Sequence, residues 1–287
     1  MNDSKLVIDL SNIAYRSMYA VNLKTSDGKP SGHVVGFTNT MLALREKYWN
    51  SRFVFVLDSK PTRKIALYPE YKQTRKSAEY NPVGDIVRYV RLMNCDVVWC
   101  DGEEADDVMA SYCENNDDKD ITIVSSDSDL YQLIDKERGV RQLNPATNKY
   151  ITSDDLYKKF NLEKFERVNL WKAMFGDSGD NVKPPIPRLT KKLLIPVIEA
   201  CDGTVAGFFE ELLGCNGNFY VFPEKMYGKI SDNNFRSGLE RNYELVTLKK
   251  DVDYLQKRYC GNLLWLCEVL RRFECRSLIS EKIRRLV

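Results

Sequence analysis

Short apolar, β-branched runs alternate with segments of helical periodicity through the first 160 residues. Residues 6–9, 53–57, 97–100 and 121–125 read as strands, each short and almost wholly apolar. Residues 34–48, 83–93 and 105–113 carry the i, i+3, i+4 spacing of helices. Unbroken apolar strands separated by helices predict a mostly parallel sheet covered on both faces. After residue 152 the pattern is helical, over 154–160, 164–175, 191–200 and on to 287. The stretch 176–187, rich in Gly, Pro and Asp, interrupts it. The reading is an α/β domain over residues 1–160 and a helical region over 161–287.

Composition adjusts this picture only slightly. A chain of 287 residues with 43% hydrophobic content suffices for one large domain or two modest ones. The start shows no signal-peptide pattern, and no apolar run approaches the roughly 20 residues that cross a bilayer. Eight scattered cysteines without a Cys-x-x-Cys pair, and a single histidine, read as reduced cytosolic thiols. A zinc site is a poor fit, and His33 reads as a loop histidine. The expected location is cytoplasmic.

Charge changes the picture more. The formal +2 conceals a basic block, Lys60, Arg63, Lys64, Lys72, Arg75 and Lys76 against Glu70, and five acids within residues 101–107. Separated blocks suit one surface that attracts phosphates and another that holds cations. The acids also fall where predicted strands end: Asp9, Asp58, the run Glu104, Asp106 and Asp107, then Asp127 and Asp129. A lone aspartate after a strand is usually a turn residue or a helix cap. Capping does not explain four strand ends that all deliver acids to one edge, which is where ligands bind in open α/β sheets. Asp177 and Asp180 can fold back over the same edge. Crowded carboxylates raise one another's pKa, and hard divalent cations relieve that conflict. Oxygen-only ligation favours Mg²⁺ or Mn²⁺.

Six segments in order carry a resemblance. They are Val7-Ile8-Asp9-Leu10-Ser11-Asn12, Phe55-Val56-Leu57-Asp58, and Tyr68-Pro69-Glu70-Tyr71-Lys72-Gln73-Thr74-Arg75. Gly102-Glu103-Glu104-Ala105-Asp106-Asp107, Asp127-Ser128-Asp129-Leu130-Tyr131-Gln132-Leu133 and Gly176-Asp177-Ser178-Gly179-Asp180-Asn181 follow. Together they resemble the 5′ nuclease family of flap endonucleases and 5′–3′ exonucleases, most like the free-standing bacteriophage enzymes, phage ribonuclease H among them. The resemblance implies a PIN-like α/β nuclease domain with a basic arch near residues 60–82, followed by a helical DNA-binding region. It implies two or more Mg²⁺ ions, with Mn²⁺ able to substitute. Asp9, Asp58, Glu104, Asp106 and Asp127 would hold the first ion, and Asp129, Asp177 and Asp180 the second. Asp107 would act directly or through water.

Lys72 and Arg75 resemble the family's basic pair beside the scissile phosphate, here taken as sharing one face of a helix. Arg63, Lys64 and Lys76 extend the positive arch, and Arg16 matches a position near the 5′ nucleotide. Tyr71 reads equally as a base-stacking ring or a core tyrosine. Where the family carries a glycine-rich helix–hairpin–helix, near residues 176–200, this chain reads Val182-Lys183-Pro184-Pro185-Ile186-Pro187-Arg188. Without glycine, backbone amides cannot approach phosphate as closely. That puts a potassium ion in doubt and leaves Lys183, Arg188, Lys191 and Lys192 to bind by charge. The implied partners are DNA and RNA·DNA with 5′ ends or flaps, with a single-strand-binding protein or clamp as a further expectation, for a monomer with no membrane role. Two alternatives stand beside this: a PIN-type single-strand ribonuclease, and a non-catalytic structure-specific DNA-binding protein. The presence of residues 176–181 and of all nine acids weighs against them.

Overall fold

The computed structural model describes residues 4–75, 78–116, 120–214, 220 and 222–287, without the side chains of Lys225 and Tyr227. Lys76 and Cys215 lie outside the described residues. The seven cysteines described are all free, and four of them are buried.

Among the described residues, seven strands make one sheet: β1 (Lys5–Asp9), β2 (Arg52–Val56), β3 (Cys95–Trp99), β4 (Ile121–Val124), β5 (Val140–Asn144), β6 (Lys149–Tyr150) and β7 (Leu255–Tyr259). Their order is β6-β5-β4-β1-β2-β3-β7. The five inner strands are parallel, and β6 and β7 close the two edges antiparallel. The order of winding therefore reverses beside β1, which pairs with both β2 and β4. Successive side chains of a strand face opposite ways. Leu6, Ile8, Phe53, Phe55 and Val97 pack on one face under α1 (Leu10–Ala20), α2 (Gly32–Lys47) and α4 (Val83–Val90). Val7, Val54, Val56, Val98 and Ile123 pack on the other, under α5 (Ala105–Asn115). Burial on both faces is why the strand sequences are unbroken apolar runs.

A short α3 (Thr62–Leu67) precedes α4. Six further helices build a second body: α6 (Ser153–Phe160), α7 (Val168–Phe175), α8 (Lys191–Ala200), α9 (Val205–Leu212), α10 (Glu224–Ile230) and α11 (Asn233–Val246). They share their own core, with Phe160, Leu170, Phe208, Phe235 and Leu239 at its centre. Buried Asn242 of α11 donates to the carbonyls of Ala173 at 3.0 Å and Lys183 at 2.7 Å, tying that body together.

The expectation of helix through to residue 287 does not hold. After α11 the chain returns to the sheet, where β7 pairs with β3 from Cys95↔Tyr259 to Trp99↔Leu255. Then α12 (Leu263–Arg272) and the final turns bury Leu266, Leu270, Ile283 and Leu286 in the core beneath α2. The strand escaped notice because Leu-Gln-Lys-Arg-Tyr is an exposed, cationic edge with no buried face to impose an apolar period. The helical body is thus an insertion within the sheet domain. Helix α1 was also unread, because it begins directly where β1 ends, capped by Asp9.

Helix α7 stops at Gly176, whose φ of 79° is open to glycine. A Cβ there would lie 2.6 Å from the Val182 carbonyl oxygen, because Asp177 and Val182 exchange backbone hydrogen bonds of 2.8 Å across a tight loop. Gly176→Ala should lower the unfolding free energy by roughly 1–3 kcal/mol in urea titrations. Gly84→Ala, inside α4 with open space around it, should raise it by about 0.5–1 kcal/mol. Equal effects at both positions would contradict the strain assigned to Gly176.

Candidate metal and phosphate site

The shared register brings the carboxyl ends of β1, β2, β3 and β4 to one edge, and a cavity of about 720 Å³ opens there. It is lined by Asp9, Asp58, Glu104, Asp106, Asp127, Asp129, Asp177 and Asp180, together with Arg16, Lys72, Arg75 and Lys172. Asp9 ends β1: one oxygen accepts the Asn12 amide and the other the Ser125 hydroxyl, both at 3.0 Å. Asp58, just past β2, accepts the Ala105 amide at 3.1 Å. Asp127, three residues past β4, accepts the Asp129 amide at 3.0 Å. Asp177 and Asp180 come from the helical body on the tight loop after α7.

Electrostatically the cavity has two halves. In the first, burial pushes Asp9 up to about 6, the Asp127 carboxylate adding to the effect. Burial also raises Asp58, and it lifts Asp106 well above the carboxylate range with the charges of Asp127, Asp9 and Asp129. In the second half cations compensate. Burial would raise Glu104, but Lys64 and Lys72 overcome it and hold the carboxyl at about 2. Lys72 bonds Glu104 Oε1 and stands 3.6 Å from Asp180, whose other oxygen takes Arg75 Nη2 at 2.6 Å. Buried Lys172 bridges Asp129 and Asp177, 2.7 Å from Asp177 Oδ2. Burial still drives Asp129 up to about 7, whereas on Asp177 the effect of Lys172 outweighs burial and the pKa falls.

An all-carboxylate, oxygen-only donor set with an uncompensated half fits a hard divalent cation. Among the described residues, no three acidic, histidine or cysteine side chains stand close enough to ligate one ion as they lie. Ammonium groups lie between the acids of the second half, so the carboxylates must draw together around an ion.

Several expected site residues lie elsewhere. Asp107 is fully buried, accepting the Lys249 amide at 2.8 Å and facing Lys64 Nζ at 2.7 Å. It anchors α5 from behind and does not line the cavity. Lys64 is 2% exposed, wedged between Asp107 and Glu104, so it presents no charge to a phosphate. Arg63 pairs with Glu103 at 3.5 Å. Tyr71 proves a core residue, 4% exposed, its hydroxyl within 2.8 Å of Glu104 and 2.7 Å of Asp180, and no base can stack on it. Lys72 and Arg75 do not share a helix face: residues 69–74 form turns, with Lys72 at φ 55°. Arg63, Lys64, Lys72 and Arg75 fold their charges onto acids rather than arching them outward. Lys183, Arg188, Lys191 and Lys192 are exposed on the helical body; Lys183 pairs with Glu70 at 2.8 Å and Lys191 lies 4.2 Å over Trp171.

Two residues at the cavity went unread in the sequence. Lys172 carried a signal, as a lone charge in the apolar run Val168-Asn-Leu-Trp-Lys-Ala-Met-Phe175, which needs a counterion once buried. Tyr15 lines the cavity and stacks on exposed Tyr19 one helical turn on, with ring centres 6.5 Å apart.

Known proteins resemble this chain in sequence and in fold. Residues 4–161 match the family model described as 5′-3′ exonuclease, N-terminal resolvase-like domain. The chain is 30% identical to DNA polymerase I of Pseudomonas aeruginosa over 91% of its own length, spanning 29% of that protein. It is 29% identical to a 5′-3′ exonuclease of Aquifex aeolicus, covering 96% of this chain and 93% of the other. A bacteriophage T5 flap endonuclease, solved as a pseudo-enzyme-product complex with DNA and metal ions, shares the fold. It superposes with a TM-score of 0.67 at 17% identity, over 99% of this chain and 97% of the other. With more than half its length matched by that family model, the chain belongs to the 5′-3′ exonuclease family.

Proposed function

We propose that this chain is a Mg²⁺-dependent 5′ nuclease that hydrolyses phosphodiester bonds near 5′ ends or flaps of DNA and of RNA·DNA primers, in replication or repair. The observation that carries the reading is the divided cavity, in which an uncompensated acidic half adjoins a half supplied with Lys72 and Arg75. The relatives named DNA polymerase I and 5′-3′ exonuclease point the same way. Asp9, Asp58, Asp106 and Asp127 would hold one ion, and Glu104, Asp129, Asp177 and Asp180 would serve a second. Bound ions lower the pKa of a coordinated water and neutralise charge on the reacting phosphate.

The chain's own residues supply orientation. Asn12, Ser125 and the Ala105 amide hold Asp9 and Asp58 in place, so these two carboxylates are fixed points toward which the other acids draw in. A phosphate entering the cavity competes with Glu104 and Asp180 for Lys72 and Arg75, and the planar guanidinium offers it two donors. Tyr15 on Tyr19 gives a ring surface for the terminal base. Exposed Arg188, Lys191 and Lys192 contact duplex phosphates by charge.

Three outcomes test this reading. Asp106→Asn should abolish Mg²⁺-dependent cleavage of a 5′-flap substrate while thermal unfolding stays cooperative. Turnover above a few per cent of wild type would remove Asp106 from the ion's shell. Lys72→Ala should lower single-turnover cleavage by roughly 10²–10³-fold while affinity for flap DNA in Ca²⁺ changes far less. Weaker binding with normal cleavage of bound substrate would make Lys72 a docking residue only. The third concerns pH. Asp9 and Asp129 titrate near 6 and 7, above their unfolded values. The folded metal-free protein therefore binds more protons than the unfolded chain between about pH 4 and 7, and stability falls as pH rises through that window. Glu104 and Asp177 are shifted the other way and act below this window, whereas buried His33, its imidazole lowered by burial, opposes the two aspartates within it as one group against two. Metal-free Tm should drop from pH 5.5 to 7.5, and Mg²⁺ should raise it more at pH 7.5. A flat metal-free profile would contradict the upward shifts that burial gives Asp9 and Asp129.

A further inference from the structure

Helix α7 carries one charged side chain into the cavity wall. Lys172 is 5% exposed, and the residues beside it in α7, Trp171 and Ala173, are apolar. Its ammonium bonds two carboxylates that come from different bodies of the fold, Asp129 beyond β4 and Asp177 on the loop after α7. A buried ammonium is retained only where it is paired, and these two acids are the partners on which it depends. They are also acids that a cation on this side of the cavity would require.

We propose that Lys172 is a resident counter-cation: its ammonium fills the gap between Asp129 and Asp177 and must withdraw before a divalent ion can bind there. The inference rests on the metal-dependent reading above and concerns how unequally the two halves take up ions. Charge sets the sense of the competition. Two carboxylates and one ammonium leave a single negative charge, so the pair already holds half the compensation a divalent ion would bring. Geometry sets it too. Mg²⁺ demands oxygens at about 2.0–2.1 Å in near-octahedral array, and an ammonium nitrogen 2.7 Å from Asp177 Oδ2 stands where that array must form. Among the described residues no ammonium is so lodged between Asp9, Asp58, Asp106 and Asp127, and that half fills first. Once displaced, the long lysine stem turns its charge into the cavity, where a substrate phosphate can replace the lost carboxylates. Ion and substrate then favour each other's binding.

Mn²⁺ binding without DNA separates this from a purely structural role. It would be measured by calorimetry, and by the electron paramagnetic resonance signal of the free ion, on wild type, Lys172→Met, Lys172→Gln and Lys172→Arg. Wild type and Lys172→Arg should show one tight step and one weak step. The two uncharged variants should bind the second ion at least about tenfold more tightly, since a buried competing charge is gone. They should also lose thermal stability without metal and regain it with Mn²⁺, to a greater extent than wild type. A variant that folds only in Mn²⁺ supports the proposal equally. If both uncharged variants bind Mn²⁺ in the wild-type pattern, or stay unfolded at every Mn²⁺ concentration, Lys172 is a structural ion-pair residue and the proposal fails. Absence of any Mn²⁺ binding in all four proteins would instead overturn the metal-dependent reading itself, and this inference with it.

Discussion

The constraint on which the rest depends is the register of the inner strands. With β1, β2, β3 and β4 parallel and aligned, whatever follows each strand must emerge at the same edge. Placing carboxylates there concentrates negative charge at low solvent exposure, which no folded chain tolerates without relief. The structure relieves it in two ways. Lysine and arginine from the basic segment and from α7 neutralise one side, and the other stays open for a cation.

This arrangement gives the basic segment a double character. Lys64, Tyr71 and Lys72 converge on Glu104, and the Lys72 amide donates to the Asp180 carbonyl at 2.9 Å. Glu104 belongs to the sheet domain and Asp180 to the helical body. Residues 64–72 are therefore the clasp that holds the two bodies at the distance the cavity needs. A patch of six basic residues with little acid among them looks like a phosphate-binding surface, yet part of it is internal wiring.

The sheet and most acids were legible because they obey short-range rules. Unbroken apolar runs mark strands buried on two faces, and an acid after such a run falls at the ligand edge whatever the rest of the chain does. Asp107 shows where the rule stops. It neighbours Asp106 in sequence, but consecutive helical residues diverge by about 100°, so one faces the cavity and the other the core. Lys64 was misassigned and Tyr71 left undecided for a related reason: nothing local marks whether a basic or aromatic side chain points to solvent or to an acid 40 residues away. Strand β7 was invisible because its partner is more than 150 residues distant and its outward-facing residues are polar.

That late strand bears on how the molecule is made. A chain emerging from the ribosome in order completes β1 to β6, then the helical body, before residues 255–259 appear. Until then β3 presents an unpaired row of amides and carbonyls, and Leu266, Leu270 and Ile283 are not yet there to seal the hydrophobic layer beneath α2. Closing a loop of that size costs only about 0.6 kcal/mol more than closing one half as long, so the delay is set by synthesis rather than entropy. The nascent protein spends that interval with an open, apolar-flanked sheet edge, the kind of template to which another unfinished copy can add a strand. Neighbouring ribosomes on one message would bring two such unfinished edges together.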